Sequence, residues 1–304
     1  MRVNTNKRKM KQAIGIDLGG TRIKAVAIDA TGKVLKENYQ PTNDGDDTIW
    51  KNAVLAAVNE LKSFLQSDNI TIGLSAPGLP NDDNTAIAFM PGRMQGLENF
   101  LWTDFLQQPA YVLNDAVAAM MGEASFGAAK NRKNVVMLTL GTGVGGAILI
   151  DGKPYQGAFS KAGHIGHMAI NDEGDPDVTG MPGSLEECIG NCTIEKRSKG
   201  KFLSTQDLLD AHKKGDTAAT GIWLKSVRQL GIGLASVSNI LSPEVIVLGG
   251  GITQAGADLF EPLQEYMNQY EWQPGGNRTP IVKATYGDMA GAIGAACFAM
   301  SKQL

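Results

Sequence analysis

Two glycine-rich turns of the same build recur in the two halves of the chain, each between two short runs of strand-forming residues. The first is Asp17-Leu18-Gly19-Gly20-Thr21, and the second is Gly141-Thr142-Gly143-Val144-Gly145-Gly146. Glycine can take positive φ, and a turn without bulky side chains exposes its backbone N–H groups, so such a turn can wrap an anionic phosphate. The duplication therefore predicts a phosphate-binding cleft between two paired lobes.

The second turn also matches the G-x-G-x-x-G pattern of dinucleotide-binding proteins, through Gly141, Gly143 and Gly146. That fingerprint requires a helix directly after the turn, because the helix N-terminus holds the pyrophosphate. Here the turn leads into the strand-like run Ala147-Ile148-Leu149-Ile150 and then into another turn, Asp151-Gly152. The context excludes the dinucleotide fingerprint, no Walker A pattern is present, and two facing hairpins are the better phosphate cradle.

A third glycine turn, Gly249-Gly250-Gly251, follows the apolar run Val245-Ile246-Val247-Leu248. A single glycine-rich hairpin is more often only a turn, but three of them after apolar strands favour phosphate binding.

Asp17 lies at a strand end, where its carboxylate is either solvated or holds water on a magnesium ion. Beside the first glycine turn, whose Thr21 hydroxyl and amides can contact the transferred phosphate, the magnesium role is favoured.

Asn114-Asp115 follows the buried strand Tyr111-Val112-Leu113 and precedes a predicted helix. Two interpretations stay open on the residues alone. The pair can be a helix N-cap, or it can supply a general base that takes the proton of a substrate hydroxyl.

His164 and His167 are two of only three histidines in the chain. Isolated histidines are usually structural, and a pair at i, i+3 could serve a metal. The glycines around them argue against the helix that would put both on one face, so hydrogen bonding to substrate is preferred. Glu186 is either the exposed first turn of a helix, where acids are favoured, or a substrate-binding residue next to an irregular segment, 157–183.

The elements that must position these residues follow from the spacing of apolar residues. Helical spacing predicts helices at 49–65, from 116 to about 126, at 217–241 and at 289–300; short apolar runs predict strands at 13–16, 23–28, 33–36, 70–74, 110–113, 135–140, 147–150, 245–248 and 281–284. Strand hairpins followed by alternating helices and strands indicate an α/β lobe, and the second half starts the same order again near Asn134.

The composition sets limits on the class of protein. With 304 residues, 43% of them hydrophobic, the chain can form two lobes with separate cores. A net charge of -3, with basic residues clustered only at 7–11 and 196–199, does not indicate nucleic-acid binding. No secretory or membrane-spanning run is present, and the three cysteines, an odd number, fit reduced thiols, so we expect a cytoplasmic protein. Cys188 and Cys192 could share a helix face but do not complete a zinc site.

Together these segments resemble the ROK family of sugar kinases and repressors, in the superfamily of hexokinase, actin and the heat-shock ATPases. The likeness covers nearly the whole chain. The matching segments are 17–24 for the first phosphate motif, Ser75-Ala76-Pro77-Gly78 for the sugar-side loop, Leu113-Asn114-Asp115-Ala116 for the catalytic segment, 141–146 for the second phosphate motif and 241–252 for the adenosine side.

The resemblance implies two RNase-H-like (actin-like ATPase) lobes that close on ATP and a sugar. It implies an N-terminal lobe at 12–126, completed by a C-terminal helix at 289–304, and a C-terminal lobe at 127–288. Asp115 is the expected base, and Asp17 the expected ligand of Mg²⁺ through water. The residues expected at the sugar are Ser75, Pro77, Gly78, Asn114, His164, His167 and Glu186. Those expected at ATP are Asp17, Gly19, Gly20, Thr21, Lys24, Gly141, Thr142, Gly143, Gly249, Gly250 and Gly251.

The chain departs from the family pattern at two places. The family usually has Glu-x-Gly-His, whereas this chain has His164-Ile165-Gly166-His167, so a carboxylate is replaced by a ring with at most one acceptor nitrogen. The family zinc motif, Cys-x-Cys-Gly-x-x-Gly-Cys-Leu-Glu, stands here as the segment 177–186, which keeps Glu186 and has no cysteine at Asp177, Thr179 or Ser184. Zinc is therefore not expected.

The sequence thus predicts an ATP- and Mg²⁺-dependent kinase acting on a hydroxyl, the 6-position, of a hexose or N-acylhexosamine. The expected partners are a small sugar and ATP, with neither nucleic acid nor membrane, and a homodimer is left open. The alternative is a catalytically silent, sugar-binding regulator of the same family. Its repressors carry a helix-turn-helix module before the first phosphate motif, and the roughly twelve residues found there are too few for one.

Overall fold

The computed structural model describes residues 11–43, 45–67, 69–90, 92, 94–172 and 174–303. Of the basic stretch at 7–11, only Lys11 lies within these ranges. Contacts divide the chain into two compact units. The first contains the residues up to Phe126 together with those from Met289 onward, and the second contains Gly127–Asp288.

The first unit is built on a five-stranded sheet in the order β3-β2-β1-β4-β7. Its strands are β1 (Gln12–Leu18), β2 (Arg22–Asp29), β3 (Val34–Pro41), β4 (Thr71–Ala76) and β7 (Ala110–Asn114), with a small hairpin of β5 (Leu79–Pro80) and β6 (Ile87–Phe89). Strands β1, β2 and β3 pair antiparallel, whereas β1, β4 and β7 pair parallel. The carboxyl ends of β1, β4 and β7 therefore lie at one edge of the sheet.

The second unit repeats this arrangement in a sheet of order β10-β9-β8-β11-β12. Its strands are β8 (Val135–Leu140), β9 (Val144–Ile150), β10 (Lys153–Pro154), β11 (Val245–Gly249) and β12 (Ile281–Lys283). Again a hairpin, β8 and β9, is followed by parallel neighbours, β11 and β12. The two glycine turns predicted as equivalent thus connect equivalent strands, β1 to β2 and β8 to β9, and the α/β class is confirmed.

Helices pack on these sheets. The first unit has α1 (Asp47–Leu65), α2 (Trp102–Leu106), α3 (Asp115–Phe126) and α9 (Ala290–Ser301); the second has α4 (Leu185–Ile189), α5 (Ile194–Arg197), α6 (Thr205–Lys213), α7 (Thr217–Leu241) and α8 (Ala257–Tyr270). Each long helix buries an apolar stripe, and separate cores form around Trp50 and Trp102 in the first unit and around Trp223 in the second. The second core draws on α7, which the sequence predicted with the same bounds.

The backbone of the C-terminal helix α9 lies in direct contact with strands of the first sheet. A Cβ on Gly15 of β1 would lie 1.9 Å from the carbonyl oxygen of Ala292, and one on Gly73 of β4 would lie 1.9 Å from that of Ala295. These glycines, with the small residues of α9, let the helix backbone contact the sheet directly. The start of α9 is thereby fixed beside the strand ends that carry the candidate residues of this unit.

Candidate active site

The first glycine turn, Gly19–Thr21, is held by one residue that follows β3. The fully buried Thr42 donates its hydroxyl to the Gly19 carbonyl oxygen at 2.5 Å and its N–H to the Thr21 carbonyl oxygen at 3.2 Å. Carbonyl oxygens would repel a phosphate, and here two of them are held by the protein. The backbone of the turn is therefore fixed through its carbonyl oxygens, as a turn that binds an anion through its amide groups would require.

Asp17, at the end of β1, is paired in register with Lys24 on β2 and Ser75 on β4. The Ser75 hydroxyl donates to Asp17 Oδ1 at 2.6 Å, and Lys24 Nζ lies 3.7 Å from Asp17 Oδ2. A Cβ on Gly291, in the first turn of α9, would lie 2.7 Å from the same Oδ1. The structure thus joins Asp17 with the predicted residues Lys24 and Ser75 in one cluster, and Gly291 closes it from the helix side.

Asn114 and Asp115, for which two roles were left open, have different surroundings in the structure. Asn114 is buried, and its Oδ1 accepts the N–H groups of Ala116 at 3.0 Å and Val117 at 3.4 Å, so it caps α3. Its Nδ2 donates to the Gly78 carbonyl oxygen at 3.1 Å, which ties the loop after β4 to the end of β7. Asp115, the first residue of α3, is exposed, and its Oδ1 accepts the Ala116 N–H at 2.8 Å.

The loop predicted for the sugar side, from Ser75 to Gly78, leaves β4 beside this helix start. Pro77 and Gly78 are half-buried, and Gly78 has φ of +99°. A Cβ there would lie 2.6 Å from the Phe89 carbonyl oxygen. Gly78 is therefore required for the close approach of this loop to β6.

In the second unit, the turn Gly141–Gly143 is held in the same manner as the first. The carbonyl oxygens of Gly141 and Thr142 accept the N–H groups of Asn191 at 3.0 Å and Cys192 at 2.8 Å. Both glycine turns thus have two carbonyl oxygens occupied by donors from elsewhere in their own unit.

Glu186 is not the exposed helix residue that one interpretation expected. It lies in the first turn of α4 but is only 9% exposed, and its Oε2 accepts the Val144 N–H at 2.8 Å, directly after the second glycine turn. A Cβ on Gly143 would lie 2.2 Å from this oxygen. The carboxylate therefore supports the predicted phosphate turn, and Gly143 is required for its approach.

The third glycine turn meets the second at the ends of β11 and β8. Gly250 has φ of +87°, and a Cβ on it would lie 2.3 Å from the Leu140 carbonyl oxygen. A pocket of about 280 Å³ beside this contact is lined by Gly141, Thr142, Asn191, Thr205, Gln206, Leu209, Gly251 and Ile252. The second and third turns, predicted separately, therefore share one pocket within the unit.

His164 and His167 lie on the same side of a single turn of 3₁₀ helix, Ile165–His167, which the sequence argument did not allow for. Their rings stack with centroids 6.4 Å apart and planes at 14°. A 3₁₀ helix has three residues per turn, so residues i and i+3 are aligned. The expectation that the glycines keep these two rings off one face was wrong.

The glycines of this segment serve close packing instead. A Cβ on Gly166 would lie 1.9 Å from the Val144 carbonyl oxygen, and one on Gly146 would lie 2.4 Å from the Gly163 carbonyl oxygen. The histidine-bearing turn therefore rests directly on β9. Gly146, which completed the dinucleotide-like pattern, belongs to this contact.

The two histidines differ in their electrostatic surroundings. Burial, and then the neighbouring His167, lowers the pKa of His164 below its ordinary value of 6.5. Nδ1 of His167 lies 2.8 Å from Oδ2 of Asp177, whose side chain is fully buried. His164 is therefore a neutral ring at neutral pH, whereas His167 faces a carboxylate.

Burial disfavours the charge of Asp177, but hydrogen bonds outweigh this effect. Its Oδ1 accepts the Thr179 N–H at 2.8 Å, the Thr179 hydroxyl at 2.7 Å and the Met181 N–H at 3.1 Å. These three hydrogen bonds, together with those from His167 and Ser184, lower the pKa of the Asp177 carboxyl well below its usual range. The carboxylate is ionised at neutral pH.

Residues at the positions of the family's zinc motif are thus engaged with one another. Within the ranges the structure covers, no group of three or more His, Cys, Asp or Glu side chains is placed to hold a metal ion. Cys188 and Cys192 do not share a helix, because α4 ends at Ile189. The donor set around Asp177 does not fit zinc, since its carboxylate already accepts several hydrogen bonds and no thiolate is present.

Sequence reasoning missed Thr42, Gly291 and Asp177 as supports of the predicted residues. Thr42 carries no local signal, because its role depends on the pairing of β2 with β3. Gly291 stands in a run of small residues, a pattern that does not identify a packing partner. Asp177 was noted only as a lost cysteine, although a carboxylate at that position was itself a signal.

Comparison with known proteins identifies the family of the chain. A profile of the ROK family matches residues 13–302. The chain belongs to the ROK family. A glucokinase of Halalkalibacterium halodurans is 32% identical over 312 residues, covering 92% of each chain.

Two solved ROK structures are similar along nearly their whole length. The ROK hexokinase of Thermus thermophilus gives a TM-score of 0.85 at 29% identity, covering 94% of this chain and 97% of that one. A ROK glucokinase of Streptomyces griseus, in complex with glucose and AMPPNP, gives 0.78 at 25% identity, covering 95% and 99%. The fold of this ROK protein is thus the actin-like ATPase fold of two RNase-H-like lobes.

Regulators of the ROK family are also similar to the chain. The xylose repressor of Bacillus spizizenii is 26% identical over 295 residues, covering 94% of this chain and 76% of the repressor. Family membership therefore supports a sugar-related function without separating catalysis from regulation.

No helix among the residues with described structure is both long and apolar enough to cross a membrane.

Proposed function

We propose that the chain is an ATP-dependent sugar kinase that phosphorylates a hydroxyl, the 6-position, of a hexose or N-acylhexosamine. The observation that carries this proposal is the arrangement at the start of α3. The buried Asn114 caps the helix through its Oδ1, and the neighbouring Asp115 is an exposed carboxylate in the first turn of the helix. Such a group is suited to accept the proton of an attacking alcohol.

The phosphate side of the proposal relies on the three glycine turns. The turns Gly19–Thr21, Gly141–Gly143 and Gly249–Gly251 would bind ATP through backbone amides, since carbonyl oxygens of the first two are already occupied. The pocket that the second and third turns share supports the proposal that this unit binds a nucleotide. Lys24 adds a positive charge beside the first turn.

Magnesium fits the residue proposed to hold it. Mg²⁺ prefers oxygen ligands and commonly binds through one or two carboxylates and retained waters, and Asp17 offers a carboxylate at a strand end beside the first turn. When bound with ATP, the ion would neutralise charge on the phosphate oxygens. Ser75 and Gly291 then serve to fix the Asp17 side chain.

For the sugar we propose Pro77, Gly78 and Asn114 in the first unit and His164, His167 and Glu186 in the second, whereas Ser75 is the donor to Asp17. The neutral His164 ring offers one donor and one acceptor, whereas a carboxylate would offer acceptors only. In the reaction, the sugar oxygen bonds to the γ-phosphorus, the bond from that phosphorus to the β,γ-bridging oxygen breaks, Asp115 takes the hydroxyl proton, and ADP leaves.

The proposal is tested by ADP release with Mg²⁺-ATP across a panel of hexoses, N-acetylhexosamines and pentoses, with the product located by NMR. At least one hexose or N-acylhexosamine is expected to stimulate ADP release and to carry the phosphate on O6. Phosphorylation of another hydroxyl would correct the position, and turnover confined to pentoses would correct the substrate class.

The similarity to a xylose repressor favours one second candidate, a sugar-binding regulator without turnover. The same panel separates the two, when combined with calorimetric binding. A sugar that binds but does not stimulate ADP release at any Mg²⁺-ATP concentration would favour the regulator and overturn the kinase.

A further inference from the structure

His167 and Asp177 form a pair in which the carboxylate is buried and the imidazole is partly exposed. The Asp177 side chain has no exposed surface, whereas 29% of the His167 side chain is exposed. The contact between them, Nδ1 to Oδ2 at 2.8 Å, uses one specific ring nitrogen. Nδ1 therefore faces the buried carboxylate, and Nε2 is the ring nitrogen that does not take part in this contact.

The hydrogen bonds around Asp177 decide which atom carries the proton between them. Its Oδ1 accepts two N–H groups and one hydroxyl, from Thr179 and Met181. A carboxylate surrounded in this way by donors acts as an acceptor. The ring nitrogen that faces Oδ2 must then be the donor.

We propose that Asp177 is a positioning residue that keeps the His167 proton on Nδ1, so that Nε2 is the nitrogen presented for hydrogen bonding. The ring orientation is fixed at the same time, because Nδ1 has to face the buried carboxylate. A partner carboxylate that selects a histidine tautomer is a recurrent device at sites where imidazole does chemistry.

The residues around Asp177 form one hydrogen-bonded cluster at the positions of a motif that the sequence resembles. Asp177, Thr179 and Ser184 stand where the zinc motif that the sequence resembles has its three cysteines. Here Thr179 and Ser184 both donate to Asp177, together with His167. A single charged acceptor with three side-chain donors thus joins the His167 turn to the N-cap of α4, Ser184.

The consequence for catalysis rests on the proposed function, because it takes His167 to contact the sugar. The tautomer itself does not depend on that function. Nε2 of a ring held in this way would accept a hydrogen bond from a sugar hydroxyl when the ring is neutral, and would donate one when it is protonated.

The test is long-range ¹H–¹⁵N NMR of the histidine side chains, without sugar or nucleotide. The chain has three histidines, so His164→Gln and His212→Gln assign the signals of His167 by elimination. Spectra are recorded at rising pH until one nitrogen of His167 loses its proton. Loss from Nε2, with Nδ1 still protonated, is the expected result; loss from Nδ1 would overturn the proposal.

Asp177→Asn provides the second arm, with Asp175→Asn as the matched control. Asp175 is in the same segment but is exposed and paired with Lys196. The control is expected to keep the wild-type tautomer, whereas Asp177→Asn is expected to give the Nε2–H form or a mixture. An unchanged tautomer in Asp177→Asn would overturn the proposal, and if that variant does not fold, the wild-type titration still decides.

Kinetics separate this proposal from the proposed function. Asp177→Asn is expected to lower kcat/KM for the sugar by about tenfold or more while the KM for ATP stays unchanged, as for other residues that orient a functional histidine. If His167→Gln keeps full sugar-stimulated turnover while NMR shows the Nδ1–H form in the wild type, the sugar role of His167 fails and the tautomer assignment stands. A loss in Asp177→Asn that affects sugar and ATP alike would mark Asp177 as merely structural and overturn its positioning role.

Discussion

The Ser75 hydroxyl donates a 2.6 Å hydrogen bond to Asp17 Oδ1, and the two residues occupy partnered positions on β4 and β1. On the other side, the backbone of Gly291 approaches the same oxygen so closely that a Cβ there would lie 2.7 Å away. The Asp17 carboxylate is thus fixed by a neighbouring strand and by the start of α9. Its orientation depends on segments far apart in the sequence.

Ser75→Ala is expected to change the dependence on Mg²⁺ and to leave the KM for the sugar nearly unchanged. A hydrogen bond to a charged group contributes about 1.5–3 kcal/mol, so the Mg²⁺ concentration at half-maximal turnover should rise by about tenfold or more. Ser63→Ala, in α1, removes a serine hydroxyl that donates to a helix carbonyl and is the control. A higher sugar KM with unchanged Mg²⁺ dependence would instead place Ser75 at the sugar.

Asp115→Asn is expected to lower turnover by about 10² to 10⁴, the usual contribution of general-base catalysis. Nucleotide affinity, measured by calorimetry, and thermal stability should change little, because the side chain is exposed and Asn114 carries the cap. Asp104→Asn, an exposed acid in the first turn of α2, is the matched control. Wild-type turnover in Asp115→Asn would remove this residue from the proposed mechanism.

Adjacent glycines of the third turn should respond differently to alanine. Gly250→Ala meets a positive φ and the Leu140 backbone, whereas a Cβ on Gly251 meets no heavy atom within 4 Å. Strain and overpacking together should lower the free energy of unfolding of Gly250→Ala by at least about 2 kcal/mol. Denaturant unfolding of both variants checks this, and equal stability would contradict the close contact between β8 and β11.

Elements with strong local signals were predictable from the sequence. Helix α7 has the predicted bounds, Thr217–Leu241, because a long apolar period begins after the capping residue Asp216 and ends at Ser242-Pro243. Helix α1 likewise begins after Asp46, whose carboxylate accepts two N–H groups of its first turn. In both helices the spacing of the apolar residues and the capping residue at the N-terminus can be recognised in the sequence itself.

The arrangement of the second unit's candidate residues could not be predicted in the same way. The partner of His167 is ten residues away across an irregular segment, and the Val144 N–H that binds Glu186 lies on another strand. Both contacts depend on how the 3₁₀ turn and α4 pack on β9. The glycines of the His164 segment looked like helix breakers because their packing partners are not local in sequence.

Purified protein is expected to contain no stoichiometric zinc. Asp177 already accepts several hydrogen bonds, and the side chains at 179 and 184 are hydroxyls rather than thiolates. Elemental analysis after expression in zinc-supplemented medium checks this, and EDTA should leave the melting temperature unchanged. One zinc per chain, or a melting temperature lowered by the chelator, would contradict it.

Acid should remove the stabilisation provided by Asp177. Because the native pKa of this carboxyl lies below its ordinary value of 3.8, the unfolded state binds more protons than the native state at pH values near and below 4. The stabilisation is therefore fully present above that ordinary value and is lost as pH falls toward the native pKa. The free energy of unfolding of wild type should exceed that of Asp177→Asn at pH 5, and the difference should shrink below about pH 4. Asp175→Asn should show a small difference throughout, and a difference for Asp177→Asn that widens in acid would contradict an ionised, hydrogen-bonded Asp177.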